Sequence, residues 1–173
     1  MISGAPGAGK TTIARPLARA LGLPLFAKDS IKERMHDVLA GPGPVEPAWS
    51  GRLGAASMEL LWLLAAEAPA CVLEANFWTG HEGQNAALTE LSKGGVLVEV
   101  YCAAPREEVI RRFHARAAAG VRHAVHTAQE FAADFWDNSS KPVGIGHVIE
   151  VDTTTPVEVE RLAAAVRKLL GAV

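Results

Sequence analysis

The segment Gly-Ala-Pro-Gly-Ala-Gly-Lys-Thr at positions 4–11 constrains this chain more tightly than any other stretch. Gly4, Gly7 and Gly9 bring no side chains to a core and lose much backbone freedom on ordering. A stretch of this kind is useful where the backbone itself must approach something closely. Ile13, Leu17, Ala20 and Leu21 then recur at helical spacing, so Lys10 opens an amphipathic helix. The first amide N–H groups of a helix have no partner within it, and the helix dipole is positive at that end. The pattern therefore predicts a main-chain cradle for an anion, with the Lys10 ammonium beside it.

The spacing of Gly4, Gly9, Lys10 and Thr11 fits G-x-x-x-x-G-K-[ST], the P-loop. On this reading the backbone of Gly4, Ala5, Pro6, Gly7, Ala8 and Gly9 surrounds phosphate oxygens. Lys10 reaches the β- and γ-phosphates of ATP, Thr11 ligates Mg²⁺, and Thr12 touches the α-phosphate. A glycine turn that merely ends a strand would need no amphipathic helix behind it. A dinucleotide fingerprint would have no use for Lys10 and Thr11.

The rest of the chain alternates apolar runs with segments of helical period. Strands are expected at 23–26, 71–75, 95–102 and 147–151, each apolar enough for burial on both faces, as in a parallel sheet. The helices between them show stripes of Leu53, Ala56, Leu60 and Leu64, then Val109, Ile110, Phe113 and Ala117, then Val159, Leu162, Val166 and Leu169. Pro156 is expected to open the last of these. Strand–helix alternation implies right-handed crossovers and a three-layer, doubly wound α/β sheet of about five strands. With 173 residues, one domain is expected over 1–173. The first strand has few residues ahead of Gly4 to draw on. Residues 41–51, with three prolines and three glycines, are expected to form a surface loop that is also a candidate for substrate contact.

Ligands gather at the carboxyl ends of the strands in such sheets. Asp29, just past the second strand, is placed to accept a proton from an acceptor hydroxyl; Asp29 or Ser30 as a cap for a helix starting at Ile31 is the alternative. Lys28 reads as solvent-facing, or as a contact for an anionic acceptor. Glu74 ends the third strand, where an acid that organises Mg²⁺ is expected. Asn76, Phe77 and Trp78 follow it as candidate acceptor contacts, with packing as the alternative for the two aromatics. Arg112, Arg116 and Arg122 are candidates to close over the transferring phosphoryl group from a lid at about 112–127. Arg111 and a Glu108–Arg112 pair read as ordinary helix-surface chemistry. His123 and His126 are too sparse for a metal site, although His126 is placed to lie near the acceptor.

A net charge of −2 argues against a broad nucleic-acid footprint. Cys71 and Cys102 lie in apolar runs and read as small core residues. No signal peptide or membrane span is expected, so the cytoplasm is the default compartment. A monomer or homodimer is expected.

Taken together, "GAPGAGKTT", "KDSIKERM", "RRFHAR" and "VIEVDTTTPVEV" make the chain resemble the small P-loop kinases. That superfamily includes shikimate and gluconate kinases, chloramphenicol phosphotransferase-like proteins and zeta-toxin-like kinases. The resemblance implies sheet order 2-3-1-4-5, ATP and Mg²⁺ as cofactors, and a small-molecule acceptor whose hydroxyl meets Asp29. It also implies lid arginines at Arg112 and Arg116, with Asp152, Thr153 and Thr154 beside adenine. Glu74 departs from the usual Asp. Competing expectations are a nucleotide, nucleic-acid-end or sugar-nucleotide kinase, a nucleotide-driven switch or motor, and an ATP-binding module without transfer. A guanine-type N-K-x-D is missing from the sequence.

Overall fold

The computed structural model describes residues 1–41, 43–128 and 130–171. In chain order the elements are β1 (Ile2–Ser3), α1 (Lys10–Leu21), β2 (Leu25–Ala27), α2 (Lys28–Leu39), α3 (Pro47–Glu67) and β3 (Val72–Glu74). There follow α4 (Glu82–Lys93), β4 (Val98–Ala103), α5 (Arg106–Ala118), α6 (Ala133–Asp137), β5 (His147–Asp152) and α7 (Val159–Leu170). The strands form one sheet in the order β2-β3-β1-β4-β5. Every pairing is parallel. The expected fold class and strand order are those observed.

Strand alternation sends successive side chains to opposite faces. Val72, Val98, Val100 and Cys102 join Ile13, Leu17, Leu162 and Val166 in a core under α1 and α7. Leu73, Ala75 and Phe77 join Leu61, Ala65 and Leu88 in a second core under α3 and α4. Thus the sheet is covered on both sides, which is why its strands read as unbroken apolar runs. β1 is short, yet its position is fixed from both sides: Ile2 is in register with Glu74 and with Val100.

Two buried polar side chains on β4 organise the return to β5. Glu99, fully buried, accepts hydrogen bonds from Ser3 Oγ (2.5 Å) and from the backbone amides of Val143 (2.9 Å) and Gly144 (2.8 Å). Tyr101 donates its hydroxyl to the Ser139 carbonyl at 3.2 Å. A carboxylate survives burial here because main-chain and hydroxyl donors replace its water.

Several local expectations shift. The buried stripe of α3 is Ser50, Leu53, Ser57, Leu61 and Ala65, whereas Leu60 and Leu64 are partly exposed. The run "ELLWLLAAE" is apolar nearly all round, so its period is ambiguous, and packing chose the face with the small residues. Residues 47–51 belong to α3 and not to the expected loop. α2 starts at Lys28 straight after β2, with Ala27 as N-cap and no side-chain cap, so neither Asp29 nor Ser30 caps it. The first residue of α7 is Val159, leaving Pro156 in the preceding turn. The lid helix ends at Ala118, and Gly120, at φ +64°, takes the chain away from the axis; residues 121–128 contain no helix. Cys102 is buried, as expected, but Cys71 is only half-buried. Among the described residues no helix is long and apolar enough to cross a membrane.

Candidate active site

The glycine cradle sits between β1 and α1. Gly4 and Gly7 have φ of +127° and +100°, in the left-handed half of backbone space. At both positions tertiary contact adds a second demand. A Cβ on Gly4 would lie 2.6 Å from the Cys102 carbonyl oxygen, and one on Gly7 would lie 2.5 Å from that of Val109. The loop therefore touches both β4 and α5. The ammonium of Lys10, buried, donates to the carbonyls of Gly4 (2.8 Å) and Ala5 (3.0 Å), leaving a third N–H for an anion. Burial lowers its pKa against the opposing pull of Glu74 and Asp29.

Thr11 lies one position on, at the start of α1, and its hydroxyl donates to Glu74 Oε1 at 2.9 Å. The two side chains come from elements 63 residues apart. Glu74 is 6% exposed, and burial raises its pKa against the pull of Lys10 and the Thr11 hydrogen bond. The remaining cradle residue, Thr12, is exposed.

In front of the cradle lies a cleft of about 1000 Å³, walled by the loop, α2, α3, the β3–α4 connection and the segment after α5. Lys10, Thr11, Asp29, Glu74, Arg116 and Arg122 all border it. Asp29 stands at the carboxyl end of β2 with a 54% exposed side chain, 3.2 Å from Lys28 Nζ. Burial within the cleft acts to raise the Asp29 pKa. The charges of Lys28, His126 and Lys10 outweigh it and hold the carboxyl below its ordinary value. It is therefore ionised at neutral pH and able to accept a hydrogen bond from a hydroxyl.

Residues 121–128 fold over this cleft and are tied to α2 and α3. His123 Nε2 meets Asp37 Oδ1 at 2.9 Å, and His126 Nε2 meets Glu33 Oε1 at 2.8 Å, one turn apart on α2. Ser50 Oγ donates to the Val125 carbonyl at 2.7 Å. The Arg122 guanidinium lies 4.8 Å from the centre of the Phe113 ring and donates to the Ala128 carbonyl at 2.6 Å.

A second hollow of about 620 Å³ opens on the far side of the cradle, between α5 and the turn after β5. Thr153 and Thr155 border it. Asp152 and Thr154 do not; Asp152 Oδ1 instead accepts from the Thr154 amide (2.8 Å) and hydroxyl (2.7 Å).

Residues 1–134 match the AAA domain family. The chain belongs to that family. No curated protein matches its sequence. Among solved structures, a candidate kinase from Chloroflexus aurantiacus is 29% identical, with TM-score 0.84 over 98% of this chain and 96% of that one. Shikimate kinase from Acinetobacter baumannii, in complex with shikimate, is 18% identical, with TM-score 0.63 over 97% and 89%. The APS kinase CysC of Mycobacterium tuberculosis, in complex with AMPPNP and APS, is 18% identical, with TM-score 0.57 over 99% and 95%. The fold is that of the P-loop kinase superfamily.

Within this AAA-family fold the expected site residues divide by location. Lys10, Thr11, Asp29, Glu74, Asn76, Trp78, Arg116 and Arg122 meet at one cleft. Arg112 does not border it. Its Nε donates to Glu108 Oε1 at 2.6 Å and its Nη2 to the Thr153 carbonyl at 3.0 Å, which turns it toward the second hollow. Glu108 also binds Arg111; the Arg111 hydrogen bond first, then that of Arg112, hold the Glu108 carboxyl at a pKa of about 2. Phe77, expected beside an acceptor, is 1% exposed and packs on Trp62 in the core instead. Lys28 faces the cleft and not bulk solvent, with a 19% exposed side chain. Lys32, Trp62 and Gln84 also border the cleft and were not foreseen, whereas Ser50 lies within the 41–51 segment expected to contact substrate. Lys32 had a signal: it lies one helical turn from Lys28 in "KDSIK". The partners of Ser50 had no signal, because they are 18 and 75 residues away. Among the described residues no three His, Cys, Asp or Glu side chains gather as a metal site.

Proposed function

We propose that this protein is an ATP-dependent kinase that transfers the γ-phosphoryl group to a hydroxyl of a small molecule. One observation carries the proposal. A single cleft is bordered on one wall by Lys10 and Thr11 of the cradle, and on another by the ionised, accessible carboxylate of Asp29. The oxygen–phosphorus bond to the acceptor forms as the bond from the γ-phosphorus to its bridging oxygen breaks. ADP leaves, and the hydroxyl proton passes to Asp29. In a loose transition state little charge builds on the nucleophile, so a weak base suffices and its main work is to orient the hydroxyl.

The cradle and Lys10 hold the phosphates, with Thr12 at the α-phosphate and Thr153 at the base, bordering the second hollow. Arg116 is exposed and forms no ion pair among the described residues, so it is available to meet the transferring group. Arg122 contributes charge from the cleft wall, and residues 112–127 act as the lid of a single kinase unit. Arg112 supports the nucleotide side. Lys28, Asn76 and Trp78 contact the acceptor.

The donor set fits Mg²⁺, which takes few protein ligands and shares them with phosphate and water. Thr11 and Glu74, already hydrogen-bonded, would hold it. When bound, the ion neutralises charge on the β- and γ-phosphate oxygens.

Asp29→Asn tests the reading. The variant should bind AMPPNP as the parent does, seen by thermal shift, and lose phosphoryl transfer by about 10²-fold or more. Undiminished transfer would defeat the assignment of Asp29. Absence of nucleotide binding in the parent would defeat the kinase itself. Tight ATP binding with no transfer to any of a broad panel of alcohols would favour a binding module.

A further inference from the structure

Among the described residues, the Lys32 ammonium at the cleft has no carboxylate partner within 4.0 Å. Lys32 is 7% exposed, and among the described residues its Nζ has a single hydrogen-bond partner, Ser50 Oγ at 2.8 Å. An ammonium carries three donors, and burying it without a counter-charge is costly. The surroundings increase that cost. Burial first, then the charge of Lys28, push its pKa down; Asp29 pulls the other way, but Arg122 adds to the push and the net shift is downward.

The facing helix leaves room at this point. Gly54 lies inside the 21-residue helix α3, where glycine is the least favoured residue after proline. Its φ is negative, so the backbone does not require it. A Cβ there would lie 3.9 Å from Lys28 Nζ and 4.0 Å from Lys32 Nζ. The missing side chain thus opens a hollow against two ammonium groups, and Lys28, Lys32 and Gly54 all border the cleft.

We infer that this hollow is an anion subsite. The acceptor is a hydroxyl compound bearing a carboxylate or phosphate, which sits between Lys28 and Lys32 over Gly54 while its hydroxyl faces Asp29. The hydroxyl end rests on the kinase reading above; the anion end rests on Lys32 and Gly54 alone. Because Asp29 Oδ1 lies only 3.2 Å from Lys28 Nζ, anion and hydroxyl belong to one compact molecule. A lysine that merely clamps Ser50 would not require a second ammonium beside it.

The test is NMR of protein labelled at the lysine ε-carbons, with the cradle saturated by Mg²⁺ and AMPPNP. Acetate and methyl phosphate are titrated separately. The Lys28 and Lys32 signals should move together along one saturable curve in at least one arm. The responding arm identifies the anion as carboxylate or phosphate. In Lys32→Met the Lys28 response should weaken about tenfold or more. Gly54→Leu fills the hollow without removing a charge and should weaken both signals' response equally. Unmoved Lys32 signals in both arms would overturn the inference, as would a Lys28 response that survives both substitutions. AMPPNP binding is read separately by thermal shift. Its failure would strike the kinase reading, and the anion titration, repeated without nucleotide, would still decide the subsite.

Discussion

The glycine cradle and the opposite wall of the cleft are built by contrary means. The cradle is eight consecutive residues shaped by their backbone, with Gly4 and Gly7 set against β4 and α5. The opposite wall is assembled from side chains: Lys28 and Asp29 of α2, Lys32 one turn on, Ser50 of α3, and Arg122 and His126 from beyond α5. One is a local object tolerant of almost any neighbour that leaves it space. The other exists only after three segments have docked. The same bonds that close residues 121–128 onto α2 and α3 also fix the charges of this wall. On the proposed reading, lid placement and acceptor recognition form one structural unit.

The contrast can be broken most forcefully at Gly7. Gly7→Ala places a methyl group 2.5 Å from the Val109 carbonyl oxygen at a φ of +100°. Strain and overpacking together should cost roughly 2–5 kcal/mol, with loss of AMPPNP binding. A melting temperature equal to the parent's would show that the loop and α5 are not in rigid contact.

On the other wall, Ser50→Ala leaves both the Lys32 ammonium and the Val125 carbonyl without their partner. Denaturant unfolding should show a loss of about 1–3 kcal/mol. Limited proteolysis should cut faster within 121–128, while nucleotide binding persists. Equal loss of both functions would mean that the two walls are not separable.

Glu74 sharpens the comparison through pH. Its folded pKa is raised, so between its ordinary value of 4.5 and the raised one the folded state holds a proton that the unfolded state has lost. Stability attributable to this group therefore falls as pH rises through that window. Glu74→Gln should remove that decline, seen as a flatter dependence of melting temperature on pH above 4.5. An unchanged profile would place the Glu74 carboxyl at its ordinary pKa.

The smallest effect is expected at Gly120. A methyl group there meets nothing within 4 Å, so Gly120→Ala adds only the left-handed backbone cost at φ +64°. That is about 1 kcal/mol. A cost near that of Gly7→Ala would reveal packing at the lid hinge that the structure does not contain.

Much of the molecule was legible before folding. The cradle follows from glycine and lysine spacing, and the parallel sheet from apolar runs alternating with helical stripes. The place of Asp29 and Glu74 at the cleft was legible because clefts in such sheets open at the carboxyl ends of the strands. The errors arose where the sequence offers two equivalent choices. In α3 the leucine-rich run supports more than one buried face. Phe77 and Trp78 are adjacent aromatics, and alternation along the chain sends one to the core and the other to the cleft. Arg112 and Arg116 share a helix, but Glu108 and Thr153 turn Arg112 toward the second hollow.

The sequence by itself determined the glycine cradle, the layer order and the end of the sheet at which the cleft opens. Each depends on interactions between residues close in the chain, or on the period with which apolar groups recur. Tertiary structure alone decided that Thr11 meets Glu74, that Gly7 must admit the Val109 carbonyl, and that Lys32 ends beside Ser50 and Gly54. Those outcomes depend on distances between segments separated by 18 to about a hundred residues, set by how helices dock on the sheet. No local pattern encodes a distance of that kind.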